Sequence, residues 1–395
     1  MYRQHALFFR FSGIKKLTFV IMIVSLAMAL VSTIWAVYLD SFFHDVAMVG
    51  IFSSILTLIS FFSYLFFIPL IERSDKAKLF SLSLLLFSFN YVLFSFNSSF
   101  SFFVILAVLI TILSTIRITS FGILVKDFSE DSSLSKNEGM VYSFRNLAWV
   151  IGPLIAGYLA NKYNISLIFI ISALLFFIAF IFFNLLKISD KNKSKKINKG
   201  IFKNLFDFFK ERNRTYAYIL GGGVNLWWSL IYLFIPLFII RNGLNDLWIG
   251  YFLFVVAVPL ILFEYPFSKL AGKIGFKKMF KIGFLIPTVL VFACFFIPNI
   301  YIILILLAIA SLGLAMLEPT TEAYFFDILK KDEISRFYGP YNTAIDTGQF
   351  IGRIIPSLFL LFLPFKSIFL IYGLLMFMMV IISFKIKDVV EKNDK

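Results

Sequence analysis

Six ionisable side chains stand inside stretches that are otherwise oil: Arg117, Glu264, Glu318, Glu322, Asp346 and Arg353. An ionisable group at membrane depth costs at least about 2.5–3.5 kcal/mol on insertion scales, so each is a functional candidate by default. Glu318 and Glu322 are four apart and share one face of a helix. Two close carboxylates in a low dielectric cannot both ionise cheaply, so one of them keeps a proton. A carboxyl that takes its proton from one side and releases it to the other is what proton coupling needs. The alternative is a structural ion network, since both lie within about three turns of one helix end. Glu264 precedes Tyr265-Pro266 and reads as a proton or cation site, or as a solvated rim residue. Arg353 lies deep and must find a carboxylate, a carbonyl or an anionic solute. Arg145 sits near a helix end and can reach water by snorkelling.

The elements that position these groups are apolar helices. The 395 residues are 60% hydrophobic and 19% aromatic, with 54 Phe and 15% charged residues. Twelve apolar runs are long enough to cross a hydrocarbon core of about 30 Å, near 17–38, 46–71, 77–97, 101–125, 140–161, 165–187, 215–240, 246–270, 277–297, 300–325, 340–363 and 366–386. The first is too long for the core of a signal peptide, and a second follows it closely. One cysteine, Cys294, excludes an intrachain disulfide. The longest polar stretch, 189–214, reads as a solvated basic connector and leaves no room for a soluble catalytic domain, so an enzyme is not expected. No Gly-x-x-x-x-Gly-Lys-Ser/Thr loop is present, which disfavours direct use of ATP, and no cofactor is expected.

All but six of the 37 Lys and Arg fall on the side of the two termini, the exceptions being Lys162, Arg241, Lys366, Arg117, Arg145 and Arg353. The positive-inside rule then places both termini in the cytoplasm, with the chain in the plasma membrane. The formal charge of +15 is a topology signal, and no folded basic module accompanies it to suggest nucleic acid. Asp40, His44 and Asp45 crowd the first outer turn but are too few for a metal site.

The chain also repeats itself at a constant offset of 200. Gly50 meets Gly250, Lys78 meets Lys278, Asp127 meets Asp327, Lys136 meets Arg336, Gly139 meets Gly339 and Gly152 meets Gly352. The expected fold is all-α: twelve transmembrane helices in two six-helix bundles related by a parallel repeat. The bundles span 1–187 and 215–395, joined by a cytoplasmic linker over 188–214.

The repeat sets SKLAGKIGFKKMF (268–280) beside IPLIERSDKAKLF (68–80). Each joins the second helix of a half to its third. Here the sequence resembles the major facilitator superfamily, whose corresponding loop carries a Gly-x-Leu-Ala-Asp-Arg-x-Gly-Arg-Lys pattern. Leu270, Ala271, Lys273, Gly275 and Lys277 fit, with Gly272 in place of the acid. Leu70, Glu72, Arg73 and Lys76 fit, with Ile68 and Asp75 in place of the glycines. The resemblance implies inner gates: Asp127 paired with Arg73 and Lys76, Asp327 with Lys273 and Lys277, the loop-side basic residues Lys136 and Arg336 beside them, and Asp346 as a partner for Arg73 or Lys76. Gly152-Pro153 followed by Gly157 resembles the helix-5 pattern of drug/proton antiporters, or is ordinary small-residue helix packing. In such a family Arg117 and the Glu318/Glu322 pair would face one another across a central cavity, with Asn225 as a polar lining residue. Trp35, Trp227 and Trp228 either touch solute there or pack against other helices and lipid.

The resemblance implies a monomeric secondary transporter working by alternating access in the bilayer, proton-coupled and exporting a small organic solute. Uptake of an organic anion or nutrient, with Arg117 or Arg353 as the anion contact, is the alternative. A transport-inactive relative acting as a sensor or scaffold is the third.

Overall fold

The computed structural model describes residues 13–128, 134–187 and 201–387. Every regular element among them is helical. The N-terminal half comprises α1 (Gly13–Phe43), α2 (Val46–Arg73), α3 (Lys76–Phe96), α4 (Phe100–Asp127), α5 (Leu134–Lys162) and α6 (Ile165–Leu185). A short helix, α7 (Ile201–Phe209), follows. Next come α8 (Arg212–Ser229), a π turn (Leu230–Phe234) and α9 (Ile235–Arg241), which form one continuous rod. The rest is α10 (Asp246–Ile274), α11 (Phe276–Phe296), α12 (Ile300–Asp327), α13 (Lys331–Leu360), a 3-10 turn (Phe365–Ser367) and α14 (Ile368–Ser383).

The offset of 200 survives in the elements themselves. α3 and α11 begin and end 200 residues apart, as do α4 and α12. It also survives in packing. A Cβ on Gly152 would come within 2.5 Å of the Ala29 Cβ, and one on Gly352 within 3.0 Å of the Ser229 Cβ. Residues 29 and 229 are themselves one repeat apart, so each half closes α1 on α5, or α8 on α13, through the same glycine.

Ten of the described helices are long and apolar enough to cross a membrane, the α8–α9 rod counting as one. The expected count was twelve. The two that fall short are α5 and α13, repeat equivalents whose first two turns hold Lys136, Glu138, Lys331, Asp332, Glu333 and Arg336 and whose interiors keep Arg145, Asp346 and Arg353.

The described residues group into two compact units, one within Met1–Trp35 and Ile59–Asn198, the other within Ala36–Leu58 and Lys199–Lys395. In the first, phenylalanine does the packing. α3 and α6 meet through Phe80 and Phe183 at 5.0 Å between ring centroids, Phe87 and Phe176 at 4.7 Å, and Phe94 and Phe169 at 5.4 Å. Steps of seven along each helix, run in opposite senses, give an antiparallel zipper. All six rings are at most 2% exposed.

The second unit uses smaller spacers. A Cβ on Gly348 would strike the Gly222 carbonyl oxygen at 2.2 Å, so α8 and α13 touch through backbone. Gly283 and Gly313 do the same for α11 and α12.

The paired loops of the repeat are built differently. The Asp75 side chain accepts the Lys78 N–H at 3.0 Å and caps α3. Gly275, at the equivalent position, takes a φ of +83°, a conformation open to glycine and strained for other residues. Replacing the loop glycine by Asp75 therefore exchanges a backbone device for a side-chain one.

Candidate functional site

The C-terminal unit brings two intramembrane carboxylates together. Glu318 on α12 and Glu264 on α10 lie within hydrogen-bond reach of one another, and both are half-buried. Two carboxyl groups can bond to each other only through a shared proton. The Trp228 indole N–H on α8 donates to Glu318 Oε1. The Tyr232 ring sits 5.6 Å from that of Trp228, one turn further on.

Two of these three elements carry a proline beside the site residue: Pro319 follows Glu318 and Pro266 lies two after Glu264. In the third, Pro236 lies eight residues after Trp228, just past the π turn that begins after Ser229. A helix proline lacks an N–H and leaves the carbonyl four residues earlier without its usual donor. In the rod the chain answers with a five-residue step, Ile235 N–H to Leu230 O. Such π turns widen a helix locally and recur at functional sites.

The expected partnership of Glu318 with Glu322 is replaced. Glu322 is exposed and accepts the Tyr338 hydroxyl at 2.9 Å. Sharing a face at a spacing of four was not enough, because the neighbouring helices offer each carboxyl a nearer donor. Asn225 turns inward on its own rod, its amide nitrogen donating to Gly221 O at 3.2 Å.

Arg353 is held by protein through its two terminal nitrogens, while its Nε has no hydrogen-bond partner among the described residues. It donates to Thr57 Oγ1 at 2.6 Å, to Ser53 O at 3.3 Å and to Gln349 Oε1 at 3.2 Å, with Asp346 close enough to act on its charge. Gly50 makes room for Ser357 at the same contact, and the Ser357 hydroxyl donates back to Arg353 O at 2.6 Å. Further toward the helix ends, Arg241 donates to Asp40 Oδ1 at 2.8 Å and to His44 O at 3.1 Å. Asp40 is thus bonded rather than merely solvated.

Arg117, on α4 in the other unit, is 6% exposed and lies 5.3 Å from the centroid of the Phe87 ring. That distance suits a cation–π contact. Arg145 is exposed and stacks near Tyr142 at 5.9 Å.

Of the gate residues, Arg73 and Lys273 are exposed, Lys277 half-buried and Lys76 buried. Neither Lys273 nor Lys277 forms an ion pair among the described residues, so the pairing expected of them with Asp327 is not made here. The side chains of Glu72 and Lys136 lie outside the described ones. Arg336 instead bonds Asp207 and donates to Asn204 Oδ1 at 2.9 Å, while Arg214 reaches Glu333 at 3.4 Å.

Those contacts correct the reading of the connector. Residues 201–209 are a docked helix, with Phe208 fully buried against Phe325, Phe337 and Tyr218 at 5.9–6.2 Å. Leu205 and Phe208 share a face, a signal present in the sequence but masked by the surrounding lysines. Trp228 was also missed as a ligand of Glu318, since its partner is 90 residues away. Trp227, fully buried, is packing. Gly152 and Gly157 are buried in α5, and Gly152 has a packing duty whatever else it does.

Comparison with known proteins places this architecture. Solved structures with the same fold include the nucleoside transporter NupG (D323A mutant), at a TM-score of 0.78, 10% identity, and 94% and 99% of the two chains. A bacterial homologue of the iron transporter ferroportin, in an inward-facing state, gives 0.76 at 12% identity over 94% and 98%. A peptide transporter, POT, in complex with sulfate gives 0.74 at 12% over 95% and 93%. An uncharacterised transporter of the same superfamily type from Methanocaldococcus jannaschii is 25% identical over 238 residues, 59% of this chain. The match spans about three-fifths of that relative's length, 61%. The sequence model of the Major Facilitator Superfamily matches residues 17–262 and 226–395. With the repeat, the helix order and that match over nearly the whole chain, the protein belongs to the Major Facilitator Superfamily.

Proposed function

We propose that the protein is a proton-coupled secondary transporter of a small organic solute, working by alternating access. The observation that carries the reading is the meeting of Glu264, Glu318 and Trp228 from three helices. A carboxyl pair that can share one proton, with an indole donor on Glu318, can pass that proton on when the helices move. The prolines beside Glu264 and Glu318, and the π turn that follows Trp228, support mobility there. In this reading α5 and α13 complete twelve spans in two six-helix bundles, with both termini cytoplasmic in the plasma membrane and a monomer as the working unit. Arg73, Lys76, Asp127, Asp327, Arg336 and Asp346 are the residues of the inner gates. Export is the favoured direction, supported by the Gly152-Pro153 and Gly157 pattern in α5. Uptake of an organic anion is the second reading, favoured by the burial of Arg117.

The test is a proteoliposome assay with an imposed pH gradient and a trapped pH-sensitive dye. Adding a transported solute should collapse the gradient faster in wild type, and Glu318→Gln should return the rate to that of empty vesicles. If broad solute panels move no protons and no solute exchanges, coupled transport is wrong.

A further inference from the structure

We infer that Arg117 anchors a binding site for an organic oxyanion, a carboxylate or phosphate group on the ligand. That the ligand is the cargo rests on the transport reading above; the binding itself does not. Arg117 is 94% buried as a residue, and its Nε has no hydrogen-bond partner among the described residues. The nearest charge aggravates the situation, because Arg145 on α5 is close enough to repel it. Tyr91, its other polar neighbour, directs its hydroxyl to the Met28 sulfur at 3.6 Å.

No acid in the spans of its own unit relieves this charge. Residues 13–35, 76–126, 140–162 and 165–185 contain no Asp and no Glu. Asp127 lies ten residues further along α4, about 15 Å away at 1.5 Å per residue. A buried cation without a countercharge is strongly disfavoured and marks function rather than stability.

The contrast with Arg353 sharpens the assignment. Both arginines are buried in long helices, and both are anion contacts by residue type. Arg353 shares the unpartnered Nε but commits both terminal nitrogens, to Thr57, Ser53 and Gln349. Arg117 keeps its donors while the Phe87 ring covers one face of its plane. A planar fork with its edge free matches a carboxylate or phosphate in two parallel hydrogen bonds. The exposed Arg145 then supplies a second positive charge at the approach to the same site.

The experiment uses the full chain in lipid nanodiscs and four matched probes: benzoate, phenyl phosphate, benzamide and benzylamine. Binding is titrated by the shift in thermal unfolding midpoint. At least one acid probe should stabilise the wild type saturably, while the neutral amide and the amine should not. Whichever acid binds more tightly tells carboxylate from phosphate. Arg117→Gln should weaken that binding about tenfold or more, and Arg117→Lys should fall between, keeping charge but losing the fork. Without probe, Arg117→Gln should melt no lower than wild type, because it removes an uncompensated charge. Glu318→Gln should keep acid binding while losing proton movement, which separates failure of this site from failure of the transport reading. The inference is overturned if acids bind no better than benzamide, if Arg117→Gln binds them as wild type does, or if Arg117→Gln melts far below wild type.

Discussion

Trp228 on α8 donates its indole N–H to Glu318 on α12, joining two helices across the C-terminal unit. If that bond and the Glu264 contact act as one device, their effects on transport are not additive. Trp228→Phe keeps the ring and removes the donor, and should slow proton-coupled flux by about tenfold, the scale of one charge-assisted bond. Combined with Glu318→Gln it should cost nothing further, a coupling read from the four-way mutant cycle. Additive losses would separate Trp228 from the proton site.

The glycine contacts of the repeat make a second prediction. Gly152→Ala places a methyl 2.5 Å from the Ala29 Cβ, closer than atoms tolerate. It should destabilise by about 1–3 kcal/mol, as overpacking does. Ala29→Gly in the same chain should restore most of the loss, measured by chemical unfolding in detergent. Failure of the rescue would mean that α1 and α5 do not meet there.

A third concerns the docked helix α7. Hydrogen bonding from Lys210, aided by the charges of Arg336 and Lys203, holds the Asp207 carboxyl below the usual aspartate range. A carboxyl depressed in the folded state contributes above its unfolded pKa of about 3.9 and loses that contribution as pH falls through the lower folded value. The Arg336 contact should therefore be constant from neutral pH down to about pH 4 and fade below it. Asp207→Asn should raise hydrogen exchange of the 201–211 amides at neutral pH and remove the acid dependence. Exchange unchanged by Asp207→Asn would leave Phe208 as the whole anchor.

Much of this molecule was legible before any coordinates. Apolar runs marked the spans because a backbone in hydrocarbon must satisfy its own hydrogen bonds, and helices do so locally. The offset of 200 was legible because glycines such as Gly152 and Gly352 sit at positions whose local duties recur. Single helices also betrayed their charges, which is why Arg117, Glu264, Glu318 and Arg353 stood out.

What the sequence by itself determined is therefore one-dimensional: where helices run, that the halves repeat, and which charges they bury. Only the tertiary structure decided who meets whom. Glu318 chose Glu264 and Trp228 over Glu322, four residues away. Arg353 found Ser53 and Thr57, 300 and 296 residues distant. Arg117 found no carboxylate among the described residues of its unit. The reason is physical: periodicity fixes the face of a helix, while the partner on that face is set by packing between helices that no local pattern records.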